Sequence, residues 1–452
     1  MQHTETSQTT STTYLHKSGH YKSRGDVNKI DDQDRPAHDW YRFVLSFPPH
    51  VVREYLERFG IDSRHRVLDP FCGAGTTIVE CKKLGIPAVG IEANPLAHFV
   101  AQVKIDWSPD PDALIQHSNY VAERACAQLE ADGIADDPFF PSMQRADAIR
   151  NLRTLEPDMM HLLLKNSISP LPLHKVLVLL DTLTTYADQR FERHQRLALA
   201  KALPNSIGNL HFGPEVGVGP AKPDTPVIAA WLEGVAAIAR DLRHLRHLNH
   251  TEAMIYHADA RSIGDVLEPA SIDAVITSPP YPNEKDYTRT TRLESVLLGF
   301  IRSKSDLRAL KHHLIRSNTR NVYASDDDDQ WIAHHPHIQQ LADTIESRRR
   351  ELGKTSGFER LYARVTRLYF GGMARHLAQL RTVLRPGAQL AYVVGDQASY
   401  FRVMIQTGVL LADIAQQLGY DLVGIDLFRT RIATATRTHL REEIVVLRWP
   451  GS

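Results

Sequence analysis

Apolar residues first fall into register at Trp40-Tyr41-Arg42-Phe43-Val44-Leu45, and from there two hydrophobic periods alternate along the chain. An amphipathic run over 51–59, entered through Phe47-Pro48-Pro49-His50, predicts a helix with proline near its start. Arg66-Val67-Leu68-Asp69-Pro70 is a short apolar run stopped by proline and predicts a strand. Gly73-Ala74-Gly75 turns the chain, and residues 76–84 continue as a helix. A strand over 88–92 and a helix over 94–104 complete a βαβα beginning. Between Ile105 and His250 the alternation stops. Helical spacing recurs there over 147–165, 173–203 and 227–248, with a Gly/Pro loop over 208–223, so a mostly helical insertion is expected. Strands resume over 254–259 and 273–278, a polar and charged insertion runs from Asp286 to Arg360, and a long helix ends near Leu384. Arg385-Pro386-Gly387 feeds a strand over 389–395, a helix covers 408–418, and strands over 421–428 and 443–449 close the chain.

The last two strands have no helix between them and should pair as an antiparallel hairpin at one end of an otherwise parallel sheet. The expected fold is α/β: a Rossmann-like, doubly wound sheet of seven strands with an antiparallel last strand and two largely helical insertions. Ligand is expected at the carboxyl ends of the first and fourth strands.

Composition narrows the class. The chain has 452 residues, 42% hydrophobic and 23% charged, which excludes a disordered or fibrous protein and leaves room for large insertions. No run approaches the roughly 18 apolar residues of a membrane helix, and the first residues lack the basic and apolar blocks of a signal peptide, so a cytoplasmic chain is expected. Cys72, Cys81 and Cys126 form no CxxC pair, which excludes a disulfide framework or a cysteine zinc site. The histidine-rich runs at 243–250 and 334–337 have no carboxylate or cysteine at ligand spacing and read as solvated surface, so no metal is expected. Lys+Arg (53) balance Asp+Glu (53), which excludes an all-over basic nucleic-acid binder but not a basic cleft.

Two segments carry chemistry. In Asp69-Pro70-Phe71-Cys72-Gly73-Ala74-Gly75-Thr76-Thr77 the glycines let backbone approach a ligand at a helix start, and Glu92 ends the next strand, where a carboxylate can grip ribose hydroxyls. No lysine follows the glycines and Asp69 repels phosphate, which favours a cofactor with a positive centre such as S-adenosylmethionine. Thr277-Ser278-Pro279-Pro280-Tyr281 ends the fourth strand. Its two prolines stiffen the backbone and free its carbonyls, and a hydroxyl and an aromatic face sit beside them, a set suited to holding a planar base and accepting hydrogens from its amino group.

The two motifs together resemble those of the amino-group DNA methyltransferases, which act on cytosine N4 or adenine N6, over about residues 47–94, 256–281 and 383–448. The resemblance implies S-adenosylmethionine as cofactor, with Phe71, Gly73, Gly75 and Thr76 around its methionine part and Asp69 in the same loop. It puts Glu92 on the ribose, Asp259 near the adenine and Phe47, with Pro48, against the methionine end. It makes Ser278, Pro279, Pro280 and Tyr281 the catalytic tetrapeptide. Serine at the first position is more typical of cytosine-N4 enzymes. Many of these carry the tetrapeptide ahead of the cofactor loop, so the order here looks like a circular permutation of one fold. The implied mechanism is direct transfer to a flipped base, without a covalent enzyme intermediate.

On this reading residues 1–35 form a flexible N-terminal segment and 36–104 the cofactor-binding part of the catalytic domain. Residues 105–250 are a helical insertion for target recognition, 251–285 carry the catalytic motif, 286–360 are a charged insertion for DNA contact, and 361–452 complete the catalytic domain. Arg289, Arg292, Arg308 and Lys311 lead the basic residues assigned to DNA phosphates, followed by Arg302, Lys304, Arg316, Arg320, Arg348-Arg349-Arg350, Arg429, Arg431, Arg437 and Arg441. Double-stranded DNA is the expected partner, and a cognate restriction or defence system is one the family allows. The rival readings are adenine-N6 methylation, methylation of a guanine N2 amine in RNA, and a nucleic-acid-binding relative without turnover.

Overall fold

The computed structural model describes residues 31–43, 47–137, 151–213, 215–283, 286–432 and 439–451. Most of the expected flexible N-terminal segment, the start of the helix expected over 147–165, and Arg437 lie outside them. Residues 31–35, the end of that segment, are ordered: Asp34 is buried and takes both terminal nitrogens of Arg53, at 2.9 and 2.8 Å.

Among the described residues nine strands form, β1 (Val67–Asp69), β2 (Ala88–Glu92), β3 (Leu210–Phe212), β4 (Val216–Val218), β5 (Ala253–His257), β6 (Ile272–Thr277), β7 (Leu384–Gly395), β8 (Asp421–Ile432) and β9 (His439–Arg448). Seven of them make one sheet in the order β5-β2-β1-β6-β7-β9-β8. The pairs from β5 to β7 are parallel, and β9 runs antiparallel to both of its neighbours, as the missing helix between β8 and β9 requires. β1 and β6 lie side by side at the centre, with Leu68 opposite Val275. The chain leaves this central pair in opposite directions across the sheet, which opens a crevice at their carboxyl ends. The glycine loop and the proline tetrapeptide both begin there.

Alternate strand residues enter two cores. Val67, Ala88 and Ala274 face one cluster with Ile78 and Leu96 of the helices Thr76–Lys83 and Pro95–Lys104. Leu68, Val89 and Val275 face the other, with Tyr369 and Leu411 of the helices Tyr362–Leu380 and Thr407–Gln417. The first cluster continues without a break into the 105–250 insertion through Trp107, Leu114, Leu179 and Trp231. That insertion is therefore cored on the catalytic sheet.

Inside it the structure departs from the sequence pattern. The described part of 147–165 contains only the short helix Pro157–Met160, and the helix expected over 173–203 is two, Pro170–Thr185 and Glu192–Ala202. Between them Asp188 caps the turn, accepting from the backbone of Arg190 and holding its guanidinium. The Gly/Pro loop contains the β3–β4 hairpin. A helix not expected from periodicity, Pro111–Ala131, starts where Asp110 accepts from the backbone of Asp112 and Ala113 with Pro111 in the first turn. In the charged insertion the main helices are Lys304–His312 and Pro336–Glu351. Among the described residues no helix is long and apolar enough to cross a membrane.

Candidate active site

The crevice above β1 and β6 opens into a cleft of about 610 Å³. Phe47, Phe71, Gly73, Thr76, Glu92, Asp259 and all four residues from Ser278 to Tyr281 line it. Asp69 and Gly75, from the same loop, do not. Gly75 has φ +84°, and a Cβ there would stand 3.2 Å from that of Ala101, so it lets the helices Thr76–Lys83 and Pro95–Lys104 approach. Asp69 is fully buried. It accepts from Thr277 Oγ1 at 2.6 Å and from the Phe71 backbone at 3.1 Å, and burial pushes its carboxyl up to about 6.

Glu92 braces the loop from the next strand. Its Oε2 accepts from Gly73 N at 2.8 Å and its Oε1 from Asn94 N at 2.7 Å, and burial raises its pKa to about 7. Each oxygen keeps a lone pair for a hydroxyl. Asp259 holds the guanidinium of Arg261 through Nε (3.0 Å) and Nη2 (2.6 Å), and Arg261 pairs further with Asp328. Behind Phe71 lies His376, ring to ring at 4.8 Å. Its Nδ1 must donate to the Ala260 carbonyl (2.9 Å), so its Nε2 accepts from the Tyr392 hydroxyl (2.7 Å). Burial lowers its pKa to about 4 and keeps it neutral.

On the other side, Ser278 Oγ donates to the Val393 carbonyl of β7 at 3.2 Å. The Tyr281 ring lies on Gly395 at the end of that strand, where a Cβ would come within 2.7 Å of its Cε2. Beyond it Glu442 on β9 pairs with Arg429 and Arg431 of β8, and all three line the cleft. Asn318 and Asn321 close the wall from the charged insertion. Both are buried, and Asn318 Nδ2 and Asn321 Oδ1 have no hydrogen-bond partner among the described residues. Sequence reasoning missed these asparagines and Gly395. Only Gly395 leaves a signal, as a glycine ending the strand next to the catalytic one.

The basic residues separate. Arg308 is exposed at 5.5 Å from the Tyr323 ring centroid, and Arg289 is half-buried beside the cleft-lining Tyr287. Arg292 is turned inward, donating to the carbonyls of Thr288 (2.8 Å) and Leu162 (3.2 Å), and Lys311 reaches Asp286 at 3.4 Å. Arg316 is buried on Asp326, and Arg348, Arg349 and Arg350 pair with Glu351 and Glu346 of their own helix.

The residues present fit S-adenosylmethionine. Glu92 and Asp259 place carboxylates in the cleft, Gly73 keeps a Cβ out of it at φ +52°, and the two asparagines hold orphaned donor and acceptor atoms in its wall. That set suits a nucleoside with a cationic sulfur.

A DNA methylase family matches residues 4–102. The Type II methyltransferase M.AvaI of Nostoc sp. is 24% identical over 96% of this chain and 90% of its own. The Type II methyltransferase M.BsoBI of Geobacillus stearothermophilus is 22% identical over 93% and 87%. Among solved structures, the rRNA methyltransferase aviRa of Streptomyces viridochromogenes aligns over 94% of this chain and 96% of its own, at 11% identity and a TM-score of 0.33.

Proposed function

We propose that the chain is an amino-group DNA methyltransferase and that it methylates the exocyclic N4 amine of a cytosine flipped out of double-stranded DNA, a reading supported by the matched DNA methylase family and the two Type II methyltransferase relatives. S-adenosylmethionine, when bound, supplies a methyl group on a cationic sulfur. The chain's own residues prepare the acceptor. An amine conjugated with its ring is a poor nucleophile, and two hydrogen-bond acceptors at its protons localise the nitrogen lone pair. The observation that carries this reading is the bond from Ser278 to Val393: with its own proton committed to a backbone carbonyl, the Ser278 oxygen is left to accept. The Pro279 carbonyl is the second acceptor. Tyr281, seated against Gly395, offers its face to the flipped ring, and a ring smaller than a purine suits stacking on it.

Asp69 stays behind the loop, fixing Phe71 and Thr277, and Glu92 orients Gly73 while keeping lone pairs for ribose hydroxyls. Arg289 and Arg308 are the phosphate contacts in this reading, and Arg292 and Lys311 act beneath them by bracing the segment that follows the tetrapeptide. Incubation with unmethylated duplex DNA and labelled cofactor, followed by digestion to nucleosides and mass spectrometry, should yield N4-methyldeoxycytidine. N6-methyldeoxyadenosine in its place would assign the cleft to adenine, and label confined to RNA would remove DNA as the substrate.

A further inference from the structure

Outside the cleft, Asp413 on the helix Thr407–Gln417 meets two histidines at the start of the helix Pro336–Glu351. His337 Nδ1 lies 2.9 Å and His335 Nε2 3.4 Å from Asp413 Oδ2, and the three candidate ligand atoms fall within 4.8 Å of one another. These are the histidines that read as solvated surface, because their carboxylate comes from a remote part of the chain. His337 is exposed and its Nδ1 is accounted for by the hydrogen bond to Asp413. His335 differs: it is 3% exposed, and neither ring nitrogen has a hydrogen-bond partner among the described residues. A buried polar group left in that state costs about 1–3 kcal/mol, and the ring nitrogen that carries no proton keeps its lone pair open to an electrophile.

Two imidazoles and a carboxylate form the donor set of a borderline divalent metal, whereas Ca²⁺ and Mg²⁺ take mainly oxygen ligands. Around tetrahedral Zn²⁺, bonds of about 2.0–2.1 Å put neighbouring donors about 3.3 Å apart, close to the 3.4 Å between His335 and Asp413. The side chain of His337, 67% exposed, is free to rotate into the remaining position. Gln417 Nε2 approaches Asp413 Oδ1 at 3.4 Å and orients the carboxylate from behind.

We propose that His335, His337 and Asp413 form a Zn²⁺ site, completed by solvent, that clamps the charged insertion to a helix flanking the catalytic sheet. None of the three lines the cleft, so the metal acts as a cross-link and takes no part in methyl transfer. Full-length protein stripped with chelator and dialysed should be titrated with Zn²⁺ against a chromophoric chelator, beside His337→Ala and Asp413→Asn. Both substitutions act at partly exposed positions and spare the buried ring. The wild type should take up one more equivalent than either variant, whose affinity at this site falls on the order of 100-fold, with cofactor binding unchanged. Co²⁺ should give the intense visible bands of a tetrahedral site in the wild type alone. Equal Zn²⁺ uptake by wild type and variants would move binding elsewhere, for example to the histidine run at 243–250, and would overturn the proposal, as would no uptake by the wild type.

Discussion

Around the glycine loop the cleft is held within two neighbouring strands: Gly73 leans on Glu92, Phe71 on Asp69, and Cys72 N on the Ile91 carbonyl of β2. Around the tetrapeptide the supports are remote. Ser278 is held by Val393, Tyr281 rests on Gly395, and the far walls are Asn318, Asn321 and the Glu442 pair with Arg429. One half of the site is a local motif, whereas the other exists only once β7, β9 and the charged insertion have docked. Damage should divide accordingly, into cofactor affinity on one side and turnover on the other.

The largest expected effect is on the docked half. Ser278→Ala removes one acceptor from the amine and should lower kcat on the order of 10²-fold or more, with cofactor affinity unchanged by calorimetry. Weakened cofactor binding in this variant would dissolve the division. On the local half, Glu92→Ala frees the Gly73 and Asn94 amides and loses the ribose contacts, for about 1.5–3 kcal/mol in cofactor affinity. Turnover at saturating cofactor should be nearly restored. Gly395→Ala pushes the Tyr281 ring off its seat and should lower kcat/KM for DNA roughly tenfold, within the range for loss of base stacking. An unaffected kcat/KM would show that Tyr281 does not carry the base. The smallest effect belongs to the outer surface: Arg308→Glu should reduce the salt slope of DNA binding by about one and leave cofactor binding alone. An unchanged slope would assign Arg308 to its contact with Tyr323.

The same contrast explains what can be read from the residues. β1, β2, β5 and β6 and the loop after Asp69 announce themselves through short apolar runs and glycines, because their structure is set by neighbours in sequence. The helix Pro111–Ala131 escapes periodicity because its buried face includes Pro111, Ser118, Ala122 and Ala125 and so shows little hydrophobic contrast, although Asp110-Pro111 is a legible start. The run over 173–203 reads as one helix because the break at Asp188 is a side-chain cap that leaves the apolar spacing intact. Gly395 beneath Tyr281, and Asp413 beside His335 and His337, are tertiary pairings without local signal.

The bond from Thr277 Oγ1 to Asp69 Oδ1 has a consequence for engineering. It ties the last residue of β6 to the last residue of β1 sideways, across adjacent parallel strands, at the point where both motifs begin. The alignment of the two motifs is thus set by a crosswise tie and owes nothing to which is synthesised first. A permutant that opens the chain in a surface loop of either insertion, with the two ends of this sequence joined by a linker, should keep the reacting geometry. Grafting one motif into another scaffold without its partner strand would not, so the transferable unit is the pair of strand ends with their shared carboxylate.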